Sequence, residues 1–208
     1  MNKLLARLLL ATTALFSAAT LAAAAPADAA KPLDLENTIY LDVPAGRVVI
    51  ALRPDLAPKH VARIKELTRK GFYDGLTFHR VIDGFMAQTG DPYGNGSGGS
   101  GKTLAAEFSS EHHGRGVVSM ARASDPNSAD SQFFIMFGDA PRLDGQYTVW
   151  GKVVSGMEFV DAIKKGDPSA NGAVNDPSKI VKMQVAADVE KPAPAKKSKK
   201  KAAAKKDA

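Results

Sequence analysis

Short β patterns separated by turn signals run along the chain from Lys31 onward, the rhythm of an all-β sandwich or barrel. TIYLDV at Thr38 to Val43 and GRVVIAL at Gly46 to Leu52 are rich in β-formers, and Pro44 to Gly46 joins them as a tight hairpin. The period then lengthens. Between Pro58 and Gly71, Val61, Ile64, Lys65 and Thr68 fall at helical spacing with Leu67 beside them, which predicts an amphipathic helix that Gly71 ends. β patterns return at Thr77 to Ile82, Met86 to Thr89, Gly116 to Ala121, Gln132 to Phe137, Thr148 to Val153 and Lys179 to Ala186, with a second short helix over Gly156 to Lys164. The sum, eight strands and two helices, fits a mainly β fold: a closed antiparallel barrel capped by two α-helices, with no exposed edge.

Composition adds little to this, since 208 residues with 44% hydrophobic content describe one globular domain plus appendages. Charge adds more. The formal +6 is uneven: residues 190–208 carry eight lysines against Glu190 and Asp207, whereas residues 30–189 hold 18 Lys and Arg against 19 Asp and Glu. A near-neutral body excludes a basic groove across the fold, so no nucleic-acid partner is expected. Cysteine is absent, which excludes disulfides, thiolate catalysis and sulfur-ligated zinc and leaves the redox compartment open.

The two ends differ from the body. Lys3 and Arg7 precede an apolar stretch from Leu8 to Ala25, and small residues follow with A-x-A spacing at Ala23/Ala25 and Ala27/Ala29. This predicts a cleaved secretory signal peptide over 1–29. An uncleaved anchor is the alternative, because Leu8 to Ala25 is near the lower length limit for a spanning helix. Residues 191–208, KPAPAKKSKKKAAAKKDA, are too poor in apolar bulk to pack and are expected to form a disordered Lys/Ala-rich tail. Such a tail offers contact with anionic surfaces or serves solubility alone.

Three stretches carry the candidate chemistry: FHRVIDGFMAQTGD from Phe78, SMARASDPNSADSQFFI from Ser119 and LDGQYTVWGKVVSGMEFVDAI from Leu143. In this order they closely resemble the signature blocks of the cyclophilin family of peptidyl-prolyl cis/trans isomerases, and the resemblance runs from about Thr38 to Ala186. It implies an eight-stranded barrel capped by two helices, a proline pocket on the outer face, and neither cofactor nor metal. It makes residues 30–190 a cyclophilin-like isomerase domain, similar to bacterial periplasmic members. Such a protein would act as a monomer on proline-containing polypeptides and assist the folding of exported proteins. A proline- or client-binding module with little catalysis is the alternative.

The reaction asks for a way to weaken amide resonance, whose barrier is roughly 18–20 kcal/mol. Twisting an Xaa-Pro bond localises the lone pair on the imide nitrogen, so a donor aimed there stabilises the twisted state and not the planar ones. Arg80 is the candidate donor; the matching family arginine also holds the proline carbonyl. Lysine would substitute poorly, lacking a planar fork of donors. Gln88 would orient Arg80. The resemblance places Phe85, Met86 and Phe134 around the pyrrolidine ring, Gln132 against the substrate backbone, and Ala121, Arg122 and Ala123 along the held main chain. Arg142, Leu143 and Tyr147 complete the wall. His79 is read as structural, because the reaction moves no obligatory proton.

Three of these positions depart from the best-known eukaryotic pattern: Arg122 replaces an asparagine, Arg142 stands where a tryptophan often contacts cyclosporin, and Tyr147 replaces a histidine. Loss of the indole is expected to weaken cyclosporin by about 1–3 kcal/mol. Three other motifs compete for attention. GSGGSGKT at Gly96 to Thr103 matches the G-x-x-x-x-G-K-T phosphate-loop pattern, yet turn residues precede it where a buried strand is needed, and the long helix that should follow is missing. Glu111, His112 and His113 offer metal-ligand types, although adjacent histidines in a polar loop rarely converge on one ion. Asn95-Gly-Ser fits a glycosylation acceptor and reads more simply as loop.

Overall fold

In the computed structural model, which describes residues 33–190, β1 (Thr38–Val43) and β2 (Gly46–Leu52) occupy the predicted boundaries. They pair from Thr38 opposite Ala51 to Val43 opposite Gly46. The signal peptide expected over 1–29 and the tail over 191–208 lie outside the described residues. The further strands are β3 (Arg80–Ile82), β4 (Met86–Thr89), β5 (Val117–Met120), β6 (Phe133–Met136), β7 (Val149–Ser155) and β8 (Lys182–Val185). Together they make one 8-stranded antiparallel sheet, ordered β3-β4-β6-β5-β7-β2-β1-β8.

The closed barrel expected from the sequence is corrected: the sheet curls into an open half-barrel with β3 and β8 as its edges. The reason is local. The outer edge of β3 is taken by residues 166–174, through Val81 N–H to Gly172 O (2.8 Å), Val174 N–H to His79 O (3.1 Å) and Gly166 N–H to Val81 O (2.9 Å). What spans the remaining gap is loop rather than strand. Gly75 N–H donates to Ile180 O and Ile180 N–H to Leu76 O, each at 2.8 Å, beside an isolated bridge between Thr77 and Lys179. The outer edge of β3 is therefore covered, which removes the hazard of an open strand there without strand-to-strand closure.

The first predicted helix is α1 (Pro58–Arg69). Pro58 suits its first turn because that position needs no amide proton. Its N-terminus has no side-chain cap of its own; instead Glu107, far along the chain, accepts the backbone N–H groups of Lys59 (3.1 Å) and His60 (3.0 Å). That carboxylate neutralises orphan donors and ties the long loop to the helix. At the other end Gly71 has φ of 68°, the left-handed turn glycine supplies without steric cost. The second helix is shorter than expected, α2 (Met157–Asp161), and a third, α3 (Ala186–Val189), follows β8 where the pattern predicted strand through Ala186.

The interior lies between the sheet and these helices. Trp150, Tyr73, Phe78 and Phe133 are fully buried there, with Phe133 edge-on to Trp150 (5.3 Å) and to Tyr73 (5.5 Å). A second apolar cluster sits apart from it: Met86, Val117, Phe134, Met136, Ala140, Leu143 and Val149, with Phe85, Ala121 and Tyr147 packed alongside.

Candidate active site

Strand register assembles the site. Arg80 on β3 stands opposite Gln88 on β4, Gln88 opposite Phe134 on β6, and Phe134 opposite Ser119 on β5. Residues opposite one another across a sheet share a face, so one row crosses four strands. A parallel row sets Ile82, Met86 and Met136 beside it. Phe85 comes from the β3–β4 turn, and Arg142, Leu143 and Tyr147 from the segment that leads into β7.

These residues enclose a cavity of about 290 Å³ lined by Arg80, Phe85, Met86, Gln88, Ala121, Arg122, Phe134, Arg142, Leu143 and Tyr147. Beside it lies a second cavity of about 220 Å³, to which Gln88, Ala121 and Arg122 also belong and which Ala123 and Gln132 line. Every residue that the sequence assigned to the catalytic or substrate site thus lines one or both of two adjoining cavities. Phe134 and Met86 are buried, and Tyr147 meets Phe134 edge-on at 5.8 Å.

Arg80 is held on two sides. Its Nε donates to Asn171 O (3.1 Å), Nη2 to Asn171 Oδ1 (3.0 Å) and Nη1 to Gln88 Oε1 (3.1 Å). A guanidinium has five N–H groups; three are spent, which leaves one on each terminal nitrogen. Partial burial pushes the Arg80 pKa down, but a guanidinium starts so far above neutrality that the charge stays. The chain of contacts continues: Gln88 Nε2 donates to Gln132 Oε1 (2.9 Å), and Gln132 Nε2 donates to Gly96 O (3.0 Å) and Gly98 O (2.8 Å). Each amide's orientation is fixed by its neighbours, so the guanidinium is positioned before any ligand arrives.

The competing motifs resolve on geometry. In the phosphate-loop look-alike several backbone amides are already used. Asp91 accepts from Tyr93 N (2.8 Å), Asn95 N (3.0 Å) and Gly96 N, while Asp130 accepts from Gly101 N (2.8 Å) and Lys102 N (3.2 Å). Two carboxylates thus take amides that an anion would need, and the next described element is strand β5 rather than a helix. His112 and His113 both bond Asp144, at 2.9 Å each, while Glu111 lies 3.5 Å from Arg53. No group of three metal-ligating side chains converges among the described residues. His79 is buried with both ring nitrogens unpartnered among the described residues, and burial pushes its pKa down, so the ring packs as a neutral group.

Sequence reading missed two supports. Asn171 clamps Arg80 from the segment covering β3; it sits at φ 53°, ψ 34°, and the only local signal was an Asn-Gly pair, which marks a turn and not a partner. His113 lies wholly buried behind Phe134, with ring centroids 6.4 Å apart and nearly stacked, its Nε2 3.1 Å from Ser119 Oγ. That packing was out of reach while the residue was weighed only as a metal ligand.

Such a surface can seat a small apolar ring against Met86, Phe134 and Leu143 while a fixed cation faces the adjoining amide. Fold and site together define an open half-barrel sheet with a part-apolar, arginine-edged pocket on its outer face. Comparison with known proteins makes this specific: the sequence model of the family described as cyclophilin type peptidyl-prolyl cis-trans isomerase/CLD matches residues 38–185, and the chain belongs to that family. A probable peptidyl-prolyl cis-trans isomerase of Brucella suis is 56% identical over 187 residues, covering 84% of this chain and 94% of the relative. Peptidyl-prolyl cis-trans isomerase B of Bacillus subtilis is 46% identical over 135 residues, covering 64% and 94%. Among solved structures, a cyclophilin from Hirschia baltica aligns with a TM-score of 0.67 at 28% identity, over 78% of this chain and 77% of its own. A Cryptosporidium parvum cyclophilin type isomerase, crystallised in the presence of the dipeptide Ala-Pro, aligns at 0.64 and 30% identity over 71% and 98%. The activity of the chain is peptidyl-prolyl cis/trans isomerisation.

Proposed function

We propose that Arg80 and Gln88 carry the isomerisation, that the larger cavity holds the proline ring, and that the clients are proline-containing proteins exported to the periplasm. The observation that carries this reading is the pair of guanidinium N–H groups left over once Asn171 and Gln88 are served. One suits the carbonyl oxygen of the proline, and the other suits its imide nitrogen. In a planar Xaa-Pro bond that nitrogen has no available lone pair and the second donor gains nothing. As the bond twists the lone pair appears, and the donor meets it without further reorganisation. Met86, Phe134 and Leu143 keep the ring fixed while the residue before it rotates, and Gln132 with Ala121 to Ala123 holds the main chain.

The reading as an enzyme, rather than a proline-binding module, is tested by a protease-coupled assay on a short Xaa-Pro peptide. Catalytic acceleration is expected; saturable binding without acceleration would replace the enzyme by the module. Export rests on the composition of residues 1–29 and is tested by mass spectrometry of the protein isolated from periplasm, where a mature N-terminus near Ala25 to Ala30 is expected and an intact Met1 would contradict cleavage. The tail from Lys191 gives, on the same reading, an electrostatic contact with anionic surfaces, the domain itself working as a monomer without nucleic acid. Removing residues 191–208 should leave isomerisation of short peptides unchanged and abolish any salt-sensitive retention on anionic vesicles.

A further inference from the structure

The arginines of the described domain fall into two groups. Arg47, Arg53, Arg63, Arg69 and Arg115 each hold a carboxylate, at 2.5–3.0 Å. Arg80, Arg122 and Arg142 hold none, and these three line the same cavity. No acidic side chain lines it with them. The nearby carboxylates are already engaged: Asp144 serves His112 and His113, and Asp130 serves Ser100 and the amides of Gly101 and Lys102.

Both rim arginines are braced over rings. The Arg142 guanidinium lies 4.6 Å from the Phe85 centroid, and that of Arg122 lies 4.7 Å from the Tyr147 centroid. Arg122 spends Nε on Gln146 O (3.1 Å) and both N–H groups of Nη1 on Ala123 O (2.9 Å) and Ser124 O (3.2 Å), which leaves Nη2. The Arg142 side chain makes no hydrogen bond among the described residues, so its whole fork is free to take a carboxylate in bidentate fashion. Three like charges around one partly dry cleft repel one another and focus a positive potential into it. An anionic group arriving with the ligand relieves that repulsion.

We propose that Arg122 and Arg142 set client specificity, selecting prolines that have an acidic residue, aspartate or glutamate, as a sequence neighbour. This rests on the isomerase reading of the same cavity. A carboxylate beside the ring would meet the Arg142 fork or the free Nη2 of Arg122, while Arg80 stays with the imide. Lysine in that place would add a fourth positive charge.

The test compares short peptides that differ only in the residue before or after proline: glutamate, alanine or lysine. The ratio of kcat/KM for glutamate over alanine is expected to be about five- to tenfold in low salt, the size of an exposed to half-buried ion pair. Lysine should fall below alanine, the preference should reside mainly in KM, and high salt should shrink it. In an Arg122→Gln, Arg142→Gln double variant the three peptides should converge, whereas Arg122→Lys with Arg142→Lys should keep their ranking. Because the readout is a ratio within one protein, a general loss of activity does not imitate the result. The proposal is overturned if wild type isomerises all three within about twofold of one another, or if the double Gln variant keeps the preference. If wild type isomerises none of them, the isomerase reading fails first and the specificity falls with it.

Discussion

Strands β4, β5 and β6 have two apolar faces, and the molecule uses them for opposite ends. Ala87, Val118 and Ile135 stand in one row across the sheet and belong to the sealed interior with Phe133 and Met120. Met86, Phe134 and Met136 face the other way and join Leu143 and Val149, where a cavity of about 290 Å³ stays open. Phe133 and Phe134 are neighbours in sequence, yet alternation along a strand sends one ring to the core and the other to the cavity wall. On an ordinary half-buried strand the outer face is polar. Apolar residues there, with a fixed arginine at the end of the row, fit the proposed seat for a proline ring.

The sharpest way to break the comparison is to truncate each phenylalanine in turn. Phe133→Ala should cost about 3–5 kcal/mol of stability and lower the melting temperature by roughly 10 °C or more, while the folded fraction keeps its activity. Phe134→Ala should do the reverse, with a smaller thermal shift and a fall in kcat/KM. Equal thermal losses would show that the outer cluster is simply a second core. Next in size, Arg142→Trp restores apolar area at the rim and should tighten cyclosporin by about 1–3 kcal/mol, read as a drop in inhibition constant; no change would remove Arg142 from that wall. Asn171→Gly keeps the left-handed backbone and deletes only the Oδ1 acceptor. A loss of about three- to tenfold in kcat/KM is expected, the net worth of one ordinary hydrogen bond, with unchanged melting; an unaltered rate would mean the clamp on Arg80 is idle.

The smallest effect is in pH. Burial pushes the His79 and His113 pKa values down from 6.5, with Asp91 and Asp144 opposing and Arg80 and His112 assisting. A base whose folded pKa is depressed binds fewer protons than the unfolded chain, so its stabilisation is complete above pH 6.5 and lost as pH falls through the folded value. Exposed His112 is shifted upward, first by Asp144, and works in the opposite sense, its contribution fading as pH rises through its folded value. Melting temperature should therefore decline on going below pH 6.5, and His79→Asn should flatten that decline. A steeper fall in the variant would contradict a neutral His79.

How much of this could be read in the sequence follows the physics of each element. β1, β2 and β4 appear at their predicted limits because hairpin and turn residues flank β-rich runs. Closure was misjudged because an edge strand of three residues, β3, gives up its outer side to residues 166–174, a pairing with no periodic signal. The cavity residues were legible through their match to family blocks, whereas hydrophobicity alone could not separate the faces of FFIM or VVSM, in which every position is buried. Asn171 and His113 act through space on Arg80 and Phe134, and no local pattern encodes such contacts.

The central claim is that Arg80, held by Asn171 and Gln88, stabilises the twisted imide. It is tested most directly by kcat/KM on one short Xaa-Pro peptide for wild type, Arg80→Ala and Arg80→Lys, with folding checked by melting temperature. Arg80→Ala should lose a factor of about 100 or more, on the order of 3 kcal/mol for one preorganised donor, and lysine should recover little of it. A loss of about tenfold or less in a folded Arg80→Ala protein would contradict the claim.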